Sequence, residues 1–230
     1  MSKILGAYYQ VFNNKKATDF VLKNFRSCYP DSPITLISDG GEDFSDLSEK
    51  YNTYFVHLHN IFIKDGDTYY DSDRMVEAWR RHKIAVDNAK TDYVLILEDD
   101  VFVQSRVEFG EFSIKGNYAR GNTIPAVGKK FIEENNGWVG DGIYGACGGS
   151  VYNCFDFLKV YDSAVSFTKK YHNEIFYVEP NRDLSAIDCN LVFQFNRVGF
   201  PYERAEWLSQ KLSQPDWKNY PIVHQYKEHC

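Results

Sequence analysis

Residues 93–103 read Tyr-Val-Leu-Ile-Leu-Glu-Asp-Asp-Val-Phe-Val, and no other segment restricts the fold as much. Tyr93 to Leu97 is a continuous apolar run. That is the pattern of a strand covered on both faces, as parallel strands in α/β sheets are. Three acids follow at once, Glu98, Asp99 and Asp100, and then Val101, Phe102 and Val103. Adjacent carboxylates repel one another and cannot all be buried without partners. They face water at the strand's end, or they face a cation. In open α/β sheets, ligands sit at the carboxyl ends of the strands. A carboxylate cluster there suits a hard divalent ion, Mg²⁺ or Mn²⁺, which prefers oxygen ligands and shares them with substrate phosphates. The structural alternative is an acidic turn closing a core strand.

The remaining chain alternates strand and helix signals. Residues 3–12 read as a strand, and 15–28 as a helix with Ala17, Phe20, Val21, Leu22 and Phe25 at helical spacing, closed by Pro30 and Pro33. A second strand at 34–38 runs into the turn Asp39-Gly-Gly. A short helix follows at 43–51, and a third strand at 54–58 alternates enough to lie near an edge. Residues 60–70 read as a loop. Asp71-Ser72-Asp73 offers N-caps to a long helix over about 73–89, with Met75, Val76, Trp79, Ile84 and Ala85 on its apolar side. Residues 104–142 read as irregular structure with strand pieces, and 144–152 as a strand. Helices are expected over 155–171 and about 184–198, and a short strand at 221–224. This alternation predicts an α/β fold with a mostly parallel central sheet, flanked by helices through right-handed crossovers.

Composition bounds the partners. A chain of 230 residues holds one sizeable core, so a single domain is expected. The net charge of −6 argues against a nucleic-acid partner, which needs a basic footprint. It leaves room for one nucleotide held by a metal and a few cations. The aromatic share of 17% suits a sugar-handling groove and equally an aromatic core, the commoner destination. Cys28, Cys147, Cys154, Cys189 and Cys230 are scattered, odd in number and without a Cys-x-x-Cys pair, which points to a reducing compartment. There is no apolar stretch near the roughly 20 residues of a spanning helix and no signal-peptide h-region. A soluble, cytoplasmic chain without a transmembrane segment is therefore expected.

The strand followed by acid-x-acid resembles the DXD-type motif of glycosyltransferases with the GT-A fold, here in an EDD form. In that family the motif holds the metal that bridges the diphosphate of a nucleotide-sugar. Four further segments stand in the family's order: Ile4-Leu-Gly-Ala-Tyr-Tyr, Ile34-Thr-Leu-Ile-Ser with Asp39-Gly-Gly, Tyr144-Gly-Ala-Cys-Gly-Gly-Ser-Val-Tyr, and Ile222-Val-His-Gln-Tyr-Lys. The stretch from Arg81 through Val103 also resembles the lipooligosaccharide and collagen galactosyltransferase group. That likeness does not extend along the chain, and no subfamily is assigned. Compact, unanchored enzymes of this kind occur in bacteria and in large DNA viruses.

The resemblance implies roles. Glu98 and Asp100 share a face of an extended backbone and would bind Mn²⁺ or Mg²⁺, with His224 completing the site through neutral imidazole. Asp99 points the other way, where the family often uses an acid on the ribose. Ala7, Tyr8 and Tyr9 at the first strand and Asp39 at the second would cradle the nucleotide, with a tyrosine stacking on the base. Arg81, the best placed of Arg74, Arg80, Arg81 and Lys83, and Lys227 would neutralise the diphosphate. Gly148 and Gly149 would let backbone approach the donor sugar. Asp188 and Asp183 are candidates for the base that an inverting transferase needs. Each has a plainer reading as a solvated turn, helix face, cap or core residue. The expected activity is metal-dependent transfer of a sugar from a nucleotide-diphosphate sugar, a UDP-sugar above all, to a hydroxyl of a glycan or glycoconjugate. Residues 1–103 would bind the nucleotide and 104–230 the sugar and acceptor. The alternatives are a nucleotidyl or phosphoryl transferase, or a non-catalytic domain that binds sugar or a partner.

Overall fold

The computed structural model describes residues 5–61, 71–108, 110–116, 119, 120, 130, 133, 134, 136, 143–146, 148–176, 187–209 and 217–224. The amino-terminal half follows the predicted alternation: β1 Leu5–Val11, α1 Lys15–Cys28, β2 Ile34–Asp39, α2 Ser45–Tyr51, β3 Tyr54–Leu58, α3 Ser72–Ala89 and β4 Tyr93–Glu98. Local chemistry sets the helix starts. The Asn14 side chain accepts the Ala17 N–H at 3.0 Å to cap α1, and Asp71 accepts the Arg74 N–H at 2.8 Å to cap α3. α3 ends at Lys90, whose φ of +49° takes the chain out of the helix.

β1 pairs in parallel with β2 on one side and β4 on the other, and β3 adds in parallel at the edge beside β2. Beyond β4 come β9 Val151–Asn153, β6 Ile114–Gly116 and β10 Tyr202–Arg204, giving the order β10-β6-β9-β4-β1-β2-β3. β9 runs antiparallel to both its neighbours, so the sheet is mixed although mostly parallel. The strand predicted at 144–152 is broken in two. β8 Ile143–Tyr144 pairs with β7 Ala119–Arg120 in a separate ribbon, and β9 starts only after a turn through Gly148 and Gly149. The apolar pattern runs across that turn, but the glycines break the strand.

Two cores flank the sheet, which explains the uninterrupted apolar run of β4. Tyr93, Leu95 and Leu97 pack with Val21, Leu22 and Phe25 of α1 on one face. Val94 and Ile96 pack on the other face with Trp79 of α3, Phe157 of α4 (Cys154–Phe176) and Leu191 of α5 (Ile187–Arg197). A large-to-small change at any of these, such as Leu97→Ala, would cost about 2–5 kcal/mol.

A small second sheet finishes the architecture and matters most for the site. β5 Val101–Val103 leaves the acidic turn and pairs antiparallel with β12 Ile222–His224, which pairs in parallel with β11 Leu208–Ser209. The register sets His224 opposite Val101. Gln104 extends the join, with its N–H donating to Pro221 O at 2.7 Å. No helix among the described residues is long and apolar enough to cross a membrane.

Candidate metal and donor site

Glu98 is the last residue of β4, and Asp99 and Asp100 form the turn into β5. Because β12 comes back along β5, the imidazole of His224 arrives beside these acids. One ligand atom each from Glu98, Asp100 and His224 lies within 4.8 Å of the others. His224 Nε2 is 3.5 Å from Asp100 Oδ1. Asp100 and His224 are buried, and Glu98 and Asp99 are half-buried.

Two observations fit a divalent cation to this cluster. Asp100 Oδ1 is buried and has no hydrogen-bond partner, although buried carboxylate oxygens are normally satisfied. The donor set of two carboxylates and one imidazole is one that Mn²⁺ accepts readily. The electrostatics agree in direction. Burial pushes the Glu98 carboxyl up to about 7; His224 works against this, while Asp100, Asp188 and Asp99 push it further up.

The turn after β8 supports Glu98. The Gly148 N–H donates to Glu98 Oε1 at 3.2 Å, and the Gly149 N–H donates to the Ile96 carbonyl at 2.7 Å. Both positions require glycine. A Cβ on Gly148 would collide with Val101 Cγ2 and crowd Glu98 Oε1, and Gly149 has a φ of +92°. Asp188 opens α5, half-buried, and its carbonyl accepts the Ala146 N–H at 3.0 Å. Its carboxylate is close enough to Glu98 to raise the latter's pKa. Asp183 and Lys227 lie outside the described residues.

The residues expected to cradle a nucleotide are placed differently from expectation. β1 continues to Val11, so Ala7, Tyr8 and Tyr9 lie within the strand and not at its end. All three are buried. The Tyr9 ring packs against Phe25 on the α1 side and its hydroxyl donates to Val21 O at 3.2 Å. The Tyr8 ring meets His82 edge-on on the α3 side. Core packing therefore takes both rings, and neither offers a face to a base. The physical reason is the alternation of a strand inside a sheet covered on both sides: each neighbour enters a different core. Asp39 does end β2, but it is buried and ion-paired with Arg81, and it accepts from Gln10 Nε2.

Arg81 is 1% exposed. Besides Asp39 it reaches the His59 carbonyl, donating from Nη2 at 2.6 Å. The expected cationic helix face divides into Arg81 inside and pairs outside: Arg80 with Glu77, Lys83 with Asp87 and Arg74 with Asp71. Sequence reasoning missed Gln10, which lies level with Glu98 in the β1–β4 register while bonding Asp39. The sequence predicts the first strand through residue 12, but only the pairing of β1 with β4 shows that Gln10 stands level with Glu98. It also missed Trp207, whose indole N–H donates to the Gly149 carbonyl at 3.1 Å, and nothing in the sequence signals that contact.

Comparison with solved structures places the architecture. The glycosyltransferase GlyE from Streptococcus pneumoniae TIGR4 superposes with a TM-score of 0.51 at 14% identity, over 97% of this chain and 55% of GlyE. The fold is GT-A-like. This GT-A-like chain spans about half the length of GlyE. Two structures of LgtC are also similar: an active-site mutant, and the galactosyltransferase in complex with donor and acceptor sugar analogues. Their TM-scores are 0.49 and 0.48 at 14% and 15% identity, each over 95% of this chain and 86% of LgtC. No protein-family model and no curated relative matches the sequence.

Proposed function

We propose that the chain is a metal-dependent glycosyltransferase that takes a nucleotide-diphosphate sugar, a UDP-sugar first among them, and glycosylates a hydroxyl of a glycan or glycoconjugate. The observation that carries this reading is the cluster of Glu98, Asp100 and His224 at the carboxyl end of β4, the central strand of a GT-A-like sheet. Glu98, Asp100 and His224 would hold Mn²⁺ or Mg²⁺, which when bound supplies positive charge to the departing diphosphate.

The chain's own groups do the remaining work. The Gly148 N–H keeps Glu98 turned into the cluster. The nucleotide lies over residues 1–103 and the acceptor against 104–230, with Asp99 available to the ribose and Gly148–Gly149 beside the sugar. The Asp39–Arg81 pair forms the ground under the nucleotide, and Lys227 is the cation for the diphosphate. In the step itself, the bond from the anomeric carbon to the diphosphate oxygen breaks and a bond from the acceptor oxygen forms. If the configuration inverts, the hydroxyl proton goes to a carboxylate, and Asp188 is the candidate beside the cluster, with Asp183 the second.

Calorimetry with UDP and GDP, with and without Mn²⁺, tests the donor side. Mn²⁺-dependent binding of one of them supports the reading, and nucleotide binding indifferent to both Mn²⁺ and chelator sinks it. Product analysis separates the chemistry: a nucleoside diphosphate released with a glycosylated acceptor supports glycosyl transfer, whereas a nucleotidylated or phosphorylated product means the rival transferase. The anomer of the product by NMR, with Asp188→Asn beside wild type, tests the base. Inversion together with near-complete loss in the variant supports Asp188, and retention or an active variant removes it from that role.

A further inference from the structure

The ligand cluster is assembled from two separate parts of the chain, and Trp207 is bonded to the strand that carries one ligand and to the turn that holds another. Trp207 sits in the link between β10 and β11 and is 8% exposed. Its indole N–H donates to the Gly149 carbonyl. Gly149 forms one turn with Gly148, whose N–H holds Glu98 Oε1. At the same time the Trp207 carbonyl accepts the N–H of Ile222 at 3.1 Å. Ile222 opens β12, the strand that carries His224. A single residue thus joins the turn that orients one ligand to the strand that bears another.

The indole is well placed to act as a fixed point. It belongs to the same apolar cluster as Val101, Val103 and Ile222, the residues that seat β5 on β12. Phe112 packs against it at 6.1 Å between centroids, and Lys115 Nζ lies 6.0 Å from its ring centre. A packed ring gives its N–H one direction. The turn it holds needs such a tether, because glycines carry the most backbone freedom.

We infer that Trp207 is a positioning residue that sets the spacing between Glu98 and His224. This rests on the reading of Glu98, Asp100 and His224 as metal ligands. Groups that orient ligands from behind typically change metal affinity by about 10–100-fold when removed.

The test compares two variants that each delete a buried indole N–H and keep an aromatic ring. Trp207→Phe removes the bond to Gly149 and leaves the backbone bond to Ile222. Trp79→Phe removes a bond from Trp79 Nε1–H to Asn190 Oδ1 of 2.9 Å, at the contact of α3 with α5. Mn²⁺ alone is the probe, followed by calorimetry and by its EPR spectrum, with melting curves to verify folding. Trp207→Phe is expected to weaken Mn²⁺ binding by about 10-fold or more, and Trp79→Phe by less than about 2-fold, although both melt lower. Wild-type Mn²⁺ affinity in Trp207→Phe overturns the positioning role, and loss in Glu98→Gln then keeps the ligand reading intact. Equal weakening in both phenylalanine variants also overturns it, since the effect is then global. A wild-type chain that binds no Mn²⁺ overturns the ligand reading and the positioning role together.

Discussion

Asp39 and Arg81 are ion-paired side chain to side chain where β2 meets α3, and each side chain is 1% exposed. Gln10 bonds Asp39, while the His59 carbonyl and, at 3.5 Å from Nε, the Glu77 carboxylate also face Arg81. A buried pair of this kind is worth little against apolar replacements, but breaking it leaves one charge uncompensated. Arg81→Met is therefore expected to lose about 3–5 kcal/mol in urea unfolding. Adding Asp39→Asn should recover part of that loss. If the double variant is no more stable than Arg81→Met alone, the pair is not coupled. The same pairing means that any loss of UDP binding in Arg81→Met must be compared with uridine: equal losses report the fold, and a loss specific to UDP reports the phosphates.

Asp100 carries the opposite expectation. Its buried Oδ1 has no hydrogen-bond partner, so Asp100→Asn in the presence of chelator should melt at or above the wild-type temperature. Mn²⁺ at about 100 times its dissociation constant should then raise the wild-type melting point by about 5–10 °C and leave the variant unmoved. A variant that Mn²⁺ still stabilises would remove Asp100 from the ligand set.

His82 gives a dependence on acid. It is buried beside Tyr8 and Tyr152, with Nδ1 3.3 Å from the Tyr152 hydroxyl, and burial pushes its pKa down to about 3 from 6.5. Between those values the unfolded chain binds a proton that the folded chain does not. Stability due to this group is thus intact above 6.5 and falls as pH drops toward 3, by about 1.4 kcal/mol per pH unit. Between about pH 7.5 and about pH 5, His82→Gln should lose about 2 kcal/mol less than wild type in urea unfolding. Matching losses would mean that His82 takes up its proton in the folded protein.

Arg26 holds the ends of two helices. Its guanidinium donates to the carbonyls of Ser32 at 2.6 Å, Tyr51 at 2.8 Å and Asn52 at 2.8 Å, with longer bonds to Pro30 and Tyr29. The cation serves carbonyls at and beyond the carboxyl ends of α1 and α2, where helix dipoles favour positive charge. Arg26→Ala should cost about 2–3 kcal/mol. Arg26→Lys should restore less than half of that, because a lysine cannot reach several carbonyls at once. Full stability in the lysine variant would show that charge alone suffices.

Where apolar residues repeat with the period of a helix or a buried strand, the sequence was sufficient. It determined α1, α3 and β4, the edge position of β3, the mostly parallel α/β character and the acids at the end of β4, because periodicity and capping are local properties. It also put His224 on a short strand. Only the tertiary structure decided which ends meet. The antiparallel pairing of β12 with β5 brings His224 beside Asp100, and the glycine turn breaks the expected strand at 144–152 to reach Glu98. The sheet's two covered faces take Tyr8 and Tyr9 into opposite cores, and the packing of α3 on β2 turns Arg81 inward to Asp39. Each of these depends on contacts between residues far apart in the chain. Such contacts leave no period in the sequence, because each follows from how the two cores close around the sheet.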